Sequence, residues 1–414
     1  MKNVIEALLQ RGFIDQITSE QLRAHVAKPI RLYIGFDPTA DSLHLGNLLG
    51  IVALAWFQKF GHTPFAVLGG ATGRIGDPSG KSVERPFLDE ETLNYNATRI
   101  EKFLKKILPG SVIVNNDTWL SPFSLIQFLR DVGKQFRVGQ MIGKESVRAR
   151  LQSEEGMSFT EFSYQVLQAY DFYHLHLKHG VSLQLGGSDQ WGNITAGIEL
   201  NRKLGGTPIY GMTFPLLTRS DGKKFGKSEE GAIWLSSDKL SPYHFYQYLI
   251  RIPDADVIRM LRMLTFLDLE EIQQIESEMK EGSAQRRLAA EVTRFVHGEE
   301  GLRAAEQVTQ GIAPGSEATL SAAALKKLAA DMTSIHLPLA EIVGQKFVDV
   351  ALRIGLVPSK AEAARLIKNG GAYFNNERIE DSAFVFTAQN LIEGECLLLS
   401  AGKKKRILIL VSKI

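Results

Sequence analysis

A single cysteine, Cys396, stands in the 414 residues, so no intramolecular disulfide can brace the fold and a reducing compartment is expected. Long apolar runs are missing too: none approaches the ~18 residues of a membrane-crossing helix. The first residues are broken up by Lys2, Asn3, Glu6, Gln10, Arg11 and Gly12, unlike a signal peptide. A cytoplasmic protein that spans no membrane is expected. Net charge is small, +2 from 48 Lys and Arg against 46 Asp and Glu, which excludes a uniformly basic nucleic-acid coat. Two nucleotide signatures fail on spacing. Gly80-Lys81-Ser82 and Gly226-Lys227-Ser228 resemble the end of a phosphate loop, but Ile75 and Asp221 stand where its first glycine belongs. Gly70, Gly73 and Gly76 recur every third residue and do not make a dinucleotide fingerprint. The His174, His176 and His179 group has no zinc spacing and reads as amphipathic surface.

What is present is ordered along the chain. Length predicts two or three domains, and a composition of 44% hydrophobic and 23% charged residues is that of a globular protein. Residues 32–34, 64–68, 112–114, 181–185 and 212–217 read as buried strands, alternating with helical stretches at 45–60, 91–108 and 190–203. This predicts an α/β fold, a Rossmann-like open parallel sheet over residues 1–235, with ligand beyond the carboxyl ends of its strands. From 236 to 313 the strand signals stop, and an all-helical domain is expected with helices over 242–251, 254–264, 269–281, 284–297 and 299–310. A linker over 314–338 leads to a small α+β module over 339–414. There Ser359 and Glu362 form a capping box, Asn375-Asn376 a hairpin turn, and residues 397–399 and 407–411 a strand pair. Residues 346–414 hold 11 basic against 7 acidic residues, a net of +4, so the remainder carries −2. Positive charge concentrated at one end is what contact with a polyanion requires.

Two strings carry the chemistry. Phe36-Asp37-Pro38-Thr39-Ala40-Asp41-Ser42-Leu43-His44-Leu45-Gly46-Asn47 sets a turn, a histidine and a glycine at a helix start, directly after a strand. Lys223-Lys224-Phe225-Gly226-Lys227-Ser228 crowds three lysines around a glycine. A helix N-terminus and clustered lysines together suit a nucleotide triphosphate. On a helix opened by Ser158, Tyr164, Gln168 and Asp171 share one face at i, i+4 and i+7. Buried among Phe162, Val166, Leu167 and Phe172, such polar groups need partners, which suits either a structural network or a pocket for a small polar ligand.

As a pair, the two strings resemble the HIGH and KMSKS signatures of class I aminoacyl-tRNA synthetases. With Gly186-Gly187-Ser188-Asp189-Gln190-Trp191-Gly192-Asn193, the chain is similar to bacterial-type tyrosyl-tRNA synthetases over most of its length. Asn47 departs from the namesake motif, standing where its second histidine belongs. The resemblance implies attack of a tyrosine carboxylate on the α-phosphate of ATP, release of pyrophosphate, and transfer of tyrosine to tRNA(Tyr). Thr39 and His44 would meet the pyrophosphate from one side, and Lys81, Arg85, Lys224 and Lys227 from another. Tyr164, Gln168 and Asp77 would hold the α-amino group, Asp171 and Tyr33 the phenolic hydroxyl, with Asn116 and Gln184 lining the same pocket. Gly35 and Asp189 would face the ribose, Asp37, Gly46, Asn47 and Gly187 the nucleotide, and Gln190 the carboxylate and α-phosphate. Mg²⁺ would accompany ATP with no dedicated metal cage. A homodimer through residues 128–136 is implied, and the last module resembles a small RNA-binding domain. Rival readings are an adenylylating enzyme that never meets RNA, a tryptophanyl-tRNA synthetase, and an RNA-binding protein without catalysis. Asp171 and Tyr33 favour a hydroxylated ring over tryptophan.

Overall fold

The structure, a computed structural model, describes residues 3–81, 87–152, 154, 156–218, 220, 225–228, 231–278, 282–312, 315, 321–329, 332–402 and 405–412. Two compact units divide the chain: residues 1–240 with 249–296, and residues 241–248 with 297–414.

The first unit is built on a six-stranded sheet of β1 (Gln16–Ile17), β2 (Arg31–Phe36), β3 (Thr63–Leu68), β4 (Val112–Asn115), β5 (Val181–Gly187) and β6 (Tyr210–Phe214), in the order β1-β6-β5-β2-β3-β4. All neighbours are parallel except β1, which runs antiparallel to β6. Strand β5 is buried along its whole length, and β3 at all but its first residue, as parallel strands covered on both faces must be. β6 stops at Phe214, short of the expected 217, because Pro215 offers no N–H to a ladder. The two-residue β1 is a strand that periodicity did not reveal. The chain builds β2-β3-β4 outward on one side, then returns to build β5-β6 on the other. The order therefore reverses between β2 and β5, and a crevice opens beyond their carboxyl ends. The helix Leu45–Lys59 is buried on nearly every face. The helix Phe159–His179 starts at Ser158, whose Oγ accepts from the Glu161 N–H at 3.1 Å, and ends at left-handed Gly180. It runs to His179 because its apolar spacing persists through Leu175.

Further along, β7 (Lys227–Ser228) and β8 (Gly231–Ala232) form a short hairpin. The helices Asp254–Leu264 and Leu269–Ser277 follow, then the run Ser283–Gly311, broken at Gly298 by φ 77° and ψ 178°. That break falls between the two helices expected at 284–297 and 299–310.

In the second unit, residues 314–338 contain a helix, Ala322–Leu328, and a strand, β9 (Ser334–Pro338). β9 joins β10 (Ala372–Phe374), β11 (Glu377–Arg378), β12 (Cys396–Ala401) and β13 (Lys405–Ser412) in a sheet ordered β11-β10-β12-β13-β9. The Asn375-Asn376 turn is present, with φ 44° and 70°, the left-handed pair of a tight hairpin. Ser359 caps the helix Lys360–Lys368 through Glu362 N–H at 3.1 Å, while the Glu362 carboxylate pairs with Arg365 at 2.9 Å. One face of the β12–β13 pair, with Leu397, Leu399, Ile407 and Ile409, packs on Phe347, Val350 and Ile367. The other, with Cys396, Leu398 and Leu408, packs on Tyr243, Ile312, Ala322 and Leu325. The β12–β13 pair is buried on both sides.

Candidate active site

The crevice between β2 and β5 is a cavity of about 690 Å³. Of the residues expected at the site, Tyr33, Gly35, Asp37, Thr39, His44, Gly46, Asn47, Asp77, Lys81, Asn116, Tyr164, Gln168, Asp171, Gln184, Gly187, Asp189 and Gln190 all line it. Arg85 and Lys224, with Lys223, lie outside the described residues; the Lys227 backbone opens β7.

At one end lies the start of the helix Leu45–Lys59. His44 is its N-cap: Nδ1 accepts from the Gly46 N–H at 3.1 Å, and the Asn47 side-chain oxygen accepts from the His44 N–H at 3.0 Å. This reciprocal cap fixes the tautomer, since a ring nitrogen that accepts on Nδ1 carries its hydrogen on Nε2. It also engages the Asn47 oxygen in the cap. A Cβ on Gly46 would come within 2.8 Å of the His44 ring, so Gly46 protects the cap as well as leaving the helix end bare. Gly226, at φ 83°, sits over this point, where its own Cβ would lie 3.0 Å from Gly46 N. Ile233 N–H donates to Gly226 O at 2.9 Å, and Leu45 N–H to Ile233 O at 2.7 Å. The two strings that carry the chemistry are joined by backbone hydrogen bonds.

At the other end, Asp171 is buried. Asn116 Nδ2 donates to one of its oxygens at 3.0 Å, and the Trp119 indole N–H to the other at 2.7 Å. Burial raises its carboxyl pKa to about 7, against the opposing pull of those two donors. Tyr33 and Gln184 are register partners across β2 and β5. The Tyr33 hydroxyl and the Gln184 side-chain oxygen are both buried with no hydrogen-bond partner among the described residues. Burial, then the Asp171 charge, pushes the Tyr33 phenol well above its ordinary pKa, so it stays a neutral donor and acceptor. Two unpaired polar atoms of this kind are costly and call for a ligand that can pair them.

Between the ends runs a network. The Tyr164 hydroxyl donates to Asp37 at 2.8 Å, and the Thr72 hydroxyl to the other Asp37 oxygen at 2.8 Å. Gln190 Nε2 donates to Asp77 at 2.7 Å, and Asn193 Nδ2 reaches Asp77 at 3.3 Å and the Gln168 oxygen at 3.0 Å. Asp189 is held above its ordinary pKa chiefly by burial. On Gly35 a Cβ would meet nothing within 4 Å. No packing demands a glycine there, and the bare backbone faces open cavity.

Asn193, Thr72 and Trp119 are the members that sequence reasoning missed. Asn193 stood inside a quoted string, three residues after Gln190, and helical spacing could have found it. The histidine group is half-buried rather than plain surface. The His174 ring stacks on Trp119 with centroids 4.6 Å apart, and burial lowers its pKa to about 4. His176 bonds Val181 O and Thr207 Oγ1, both at 2.9 Å. Among the described residues no helix is long and apolar enough to cross a membrane.

The family of class I tRNA synthetases described for tryptophan and tyrosine matches residues 25–312, and the SYY-like C-terminal domain of tyrosine–tRNA ligases matches residues 324–409. A tyrosine–tRNA ligase of Protochlamydia amoebophila is 56% identical over 99% of both chains. The chloroplastic/mitochondrial tyrosine–tRNA ligase of Arabidopsis thaliana is 51% identical over 99% of this chain and 84% of its own. A C-terminally truncated mitochondrial tyrosyl-tRNA synthetase of Aspergillus nidulans, solved by crystallography, superposes with a TM-score of 0.66 at 32% identity, covering 74% of this chain and 93% of its own. The parallel sheet with its crevice at the reversal point, the joined motif strings and the match along the whole length agree: the chain belongs to the tyrosine–tRNA ligases, within the class I tRNA synthetases.

Proposed function

We propose that the cavity binds tyrosine with its ring toward Asp171 and ATP along Gly35 and the His44–Gly46 helix start. The unpaired Tyr33 hydroxyl and Gln184 oxygen beside Asp171 carry this reading. A phenolic hydroxyl supplies one donor and one acceptor at that place, and an unsubstituted ring supplies neither. The α-ammonium group is met by Asp77, Tyr164 and Gln168, and the ribose by Asp189. The substrate carboxylate is itself the nucleophile, so no protein nucleophile is needed. Catalysis is alignment, together with donors at the departing pyrophosphate: Thr39, the His44 Nε2–H, Lys81, Arg85, Lys224 and Lys227. Mg²⁺ belongs to the nucleotide. It would be carried to the site on the ATP phosphates. Tyrosine then passes to the terminal ribose of tRNA(Tyr), held in part by the basic module from about residue 339.

The test is pyrophosphate exchange with tyrosine, tryptophan or phenylalanine. Tyrosine alone should support it; exchange driven by tryptophan and not by tyrosine overturns the assignment of the pocket.

We also infer a cytoplasmic homodimer. Leu125, Ile126, Leu129 and Val138 are exposed around the expected contact, whereas Phe128 packs on Phe123 and Tyr170. Exposed apolar side chains gathered in one segment support an interface. A monomer in sedimentation equilibrium at micromolar concentration would rule the dimer out.

A further inference from the structure

We propose that Asp256 is a positioning residue for adenylation: it holds Ser220 and so sets where the lysine string leaves the scaffold. Asp256 lies in the first turn of the helix Asp254–Leu264 and is 3% exposed. Its oxygens accept from the Ser220 N–H at 3.2 and 3.0 Å, and one accepts from the Ser220 hydroxyl at 3.0 Å. Arg259, one turn on, donates to the same carboxylate at 3.3 Å and to the Thr218 carbonyl. Asp256 thus holds residue 220, four positions before Lys224, and orients the Arg259 that holds residue 218.

The other end of the string is fixed as well. Phe225 N–H donates to Leu217 O at 3.2 Å, and Gly226 is tied through Ile233 to Leu45. Asp256 does not line the cavity and touches no group assigned to substrate. Any effect on chemistry must therefore pass through the segment it anchors. A carboxylate is expensive to bury and needs strong hydrogen bonds to stay there. Here they grip a main-chain amide, whose position no neighbouring side chain can adjust. Stabilising a pyrophosphate leaving group depends steeply on the placement of its cationic partners.

The proposal rests on the reading of Lys224 and Lys227 as phosphate contacts, so the experiment separates the two. The full-length enzyme is compared as parent, Asp256→Ala, Asp256→Asn, Lys224→Ala and the Asp256→Ala/Lys224→Ala double variant. The readouts are kcat and KM for tyrosine-dependent pyrophosphate exchange, tyrosine affinity and thermal unfolding. Asp256→Ala is expected to lower kcat about tenfold or more, with tyrosine affinity changed less than about twofold. Asp256→Asn keeps an acceptor for the Ser220 N–H and should recover most of the loss. Because both changes act through one string, the double variant should be barely slower than Lys224→Ala.

A folded Asp256→Ala with parental kcat overturns the proposal, and so does full multiplicativity in the double variant. Parental exchange by Lys224→Ala alone removes the lysine reading and the proposal with it, an outcome distinct from the other two. If Asp256→Ala does not fold, Ser220→Pro, which removes both the N–H and the hydroxyl that Asp256 holds, carries the test, and parental kcat in that folded variant overturns the idea.

Discussion

The Trp119 indole N–H donates to Asp171 at 2.7 Å from a residue 52 positions away in the chain, and Asn116 holds the second oxygen. The carboxylate is thereby oriented before any substrate arrives. Replacing it with asparagine keeps the size and exchanges an acceptor for a donor. Asp171→Asn should reduce the preference for tyrosine over phenylalanine by about 1–3 kcal/mol, the cost of one mismatched buried polar group. The ratio of kcat/KM values for the two amino acids reads it directly. An unchanged ratio in a folded variant makes Asp171 a purely structural residue.

The raised pKa of Asp171, about 7, gives a pH signature. An ordinary aspartate in the unfolded chain titrates near ~3.9. The native state holds this proton more tightly, so the group's stability contribution is complete below that value and is lost as pH rises through about 7. Tyrosine binding moves the opposite way, because the ionised carboxylate is the stronger acceptor for a phenol. Affinity should increase from about pH 6 to about pH 7.5, above the titration of tyrosine's carboxyl and below that of its amine and phenol. Calorimetric titration across that range checks it. A flat profile in the parent, or the same slope in Asp171→Asn, defeats the prediction.

His44 caps its helix through Nδ1, and the proposed function gives its Nε2–H a separate duty at the departing pyrophosphate. Asparagine is a good N-cap whose amide N–H₂ ends short of the place that the imidazole Nε2–H reaches. His44→Asn should hold stability to within about 0.5 kcal/mol, whereas His44→Ala should lose about 1 kcal/mol. Both should slow adenylation to a similar degree. Parental single-turnover rates in His44→Asn would reduce the histidine to a cap.

Lys227 is assigned a contact made chiefly in the transition state. Lys227→Ala should cost about 2–4 kcal/mol in the adenylation barrier and leave tyrosine binding nearly unchanged. Rapid-quench kinetics alongside equilibrium binding distinguishes the two effects. Weak tyrosine binding with a normal single-turnover rate contradicts the assignment.

The basic module is best tested without truncation, since removing residues beyond 338 would strip away β10 to β13 and bare Ile312, Ala322 and Leu325. Arg365→Glu with Lys368→Glu changes two exposed side chains on one helix. Tyrosine-dependent exchange should stay at the parental level while tRNA charging falls. Every ion pair with an RNA phosphate that the variant abolishes should flatten the slope of log affinity against log salt by about 0.7–0.9. Parental affinity and slope in the variant would leave this helix out of the RNA interface.

Much of this was legible because it is local. The five parallel strands are short apolar runs, and Ser158 and Ser359 announce their helices three residues ahead of the N–H groups they cap. The polar face of Tyr164, Gln168 and Asp171 follows from helical spacing alone. What sequence did not yield is pairing over distance. Thr72 meets Asp37 from 35 residues away, and Trp119 reaches Asp171 across a fold that periodicity cannot draw. β1 is two residues long, too short for alternation to register. Asn47 reads from sequence as a ligand contact; its share in the His44 cap was visible only once the two side chains were placed.

The double-sided burial of the β12–β13 pair bears on how this C-terminal piece could be moved between proteins. Its outer layer is borrowed from Tyr243, Ile312, Ala322 and Leu325, upstream of the strands themselves, and Asn376 in the hairpin turn donates to the carbonyl of Gly311. A graft that begins at the first strand would carry half a hydrophobic interior into solvent and would be expected to aggregate. The transplantable unit is therefore residues 297–414 together with 241–248, since Tyr243 belongs to that layer.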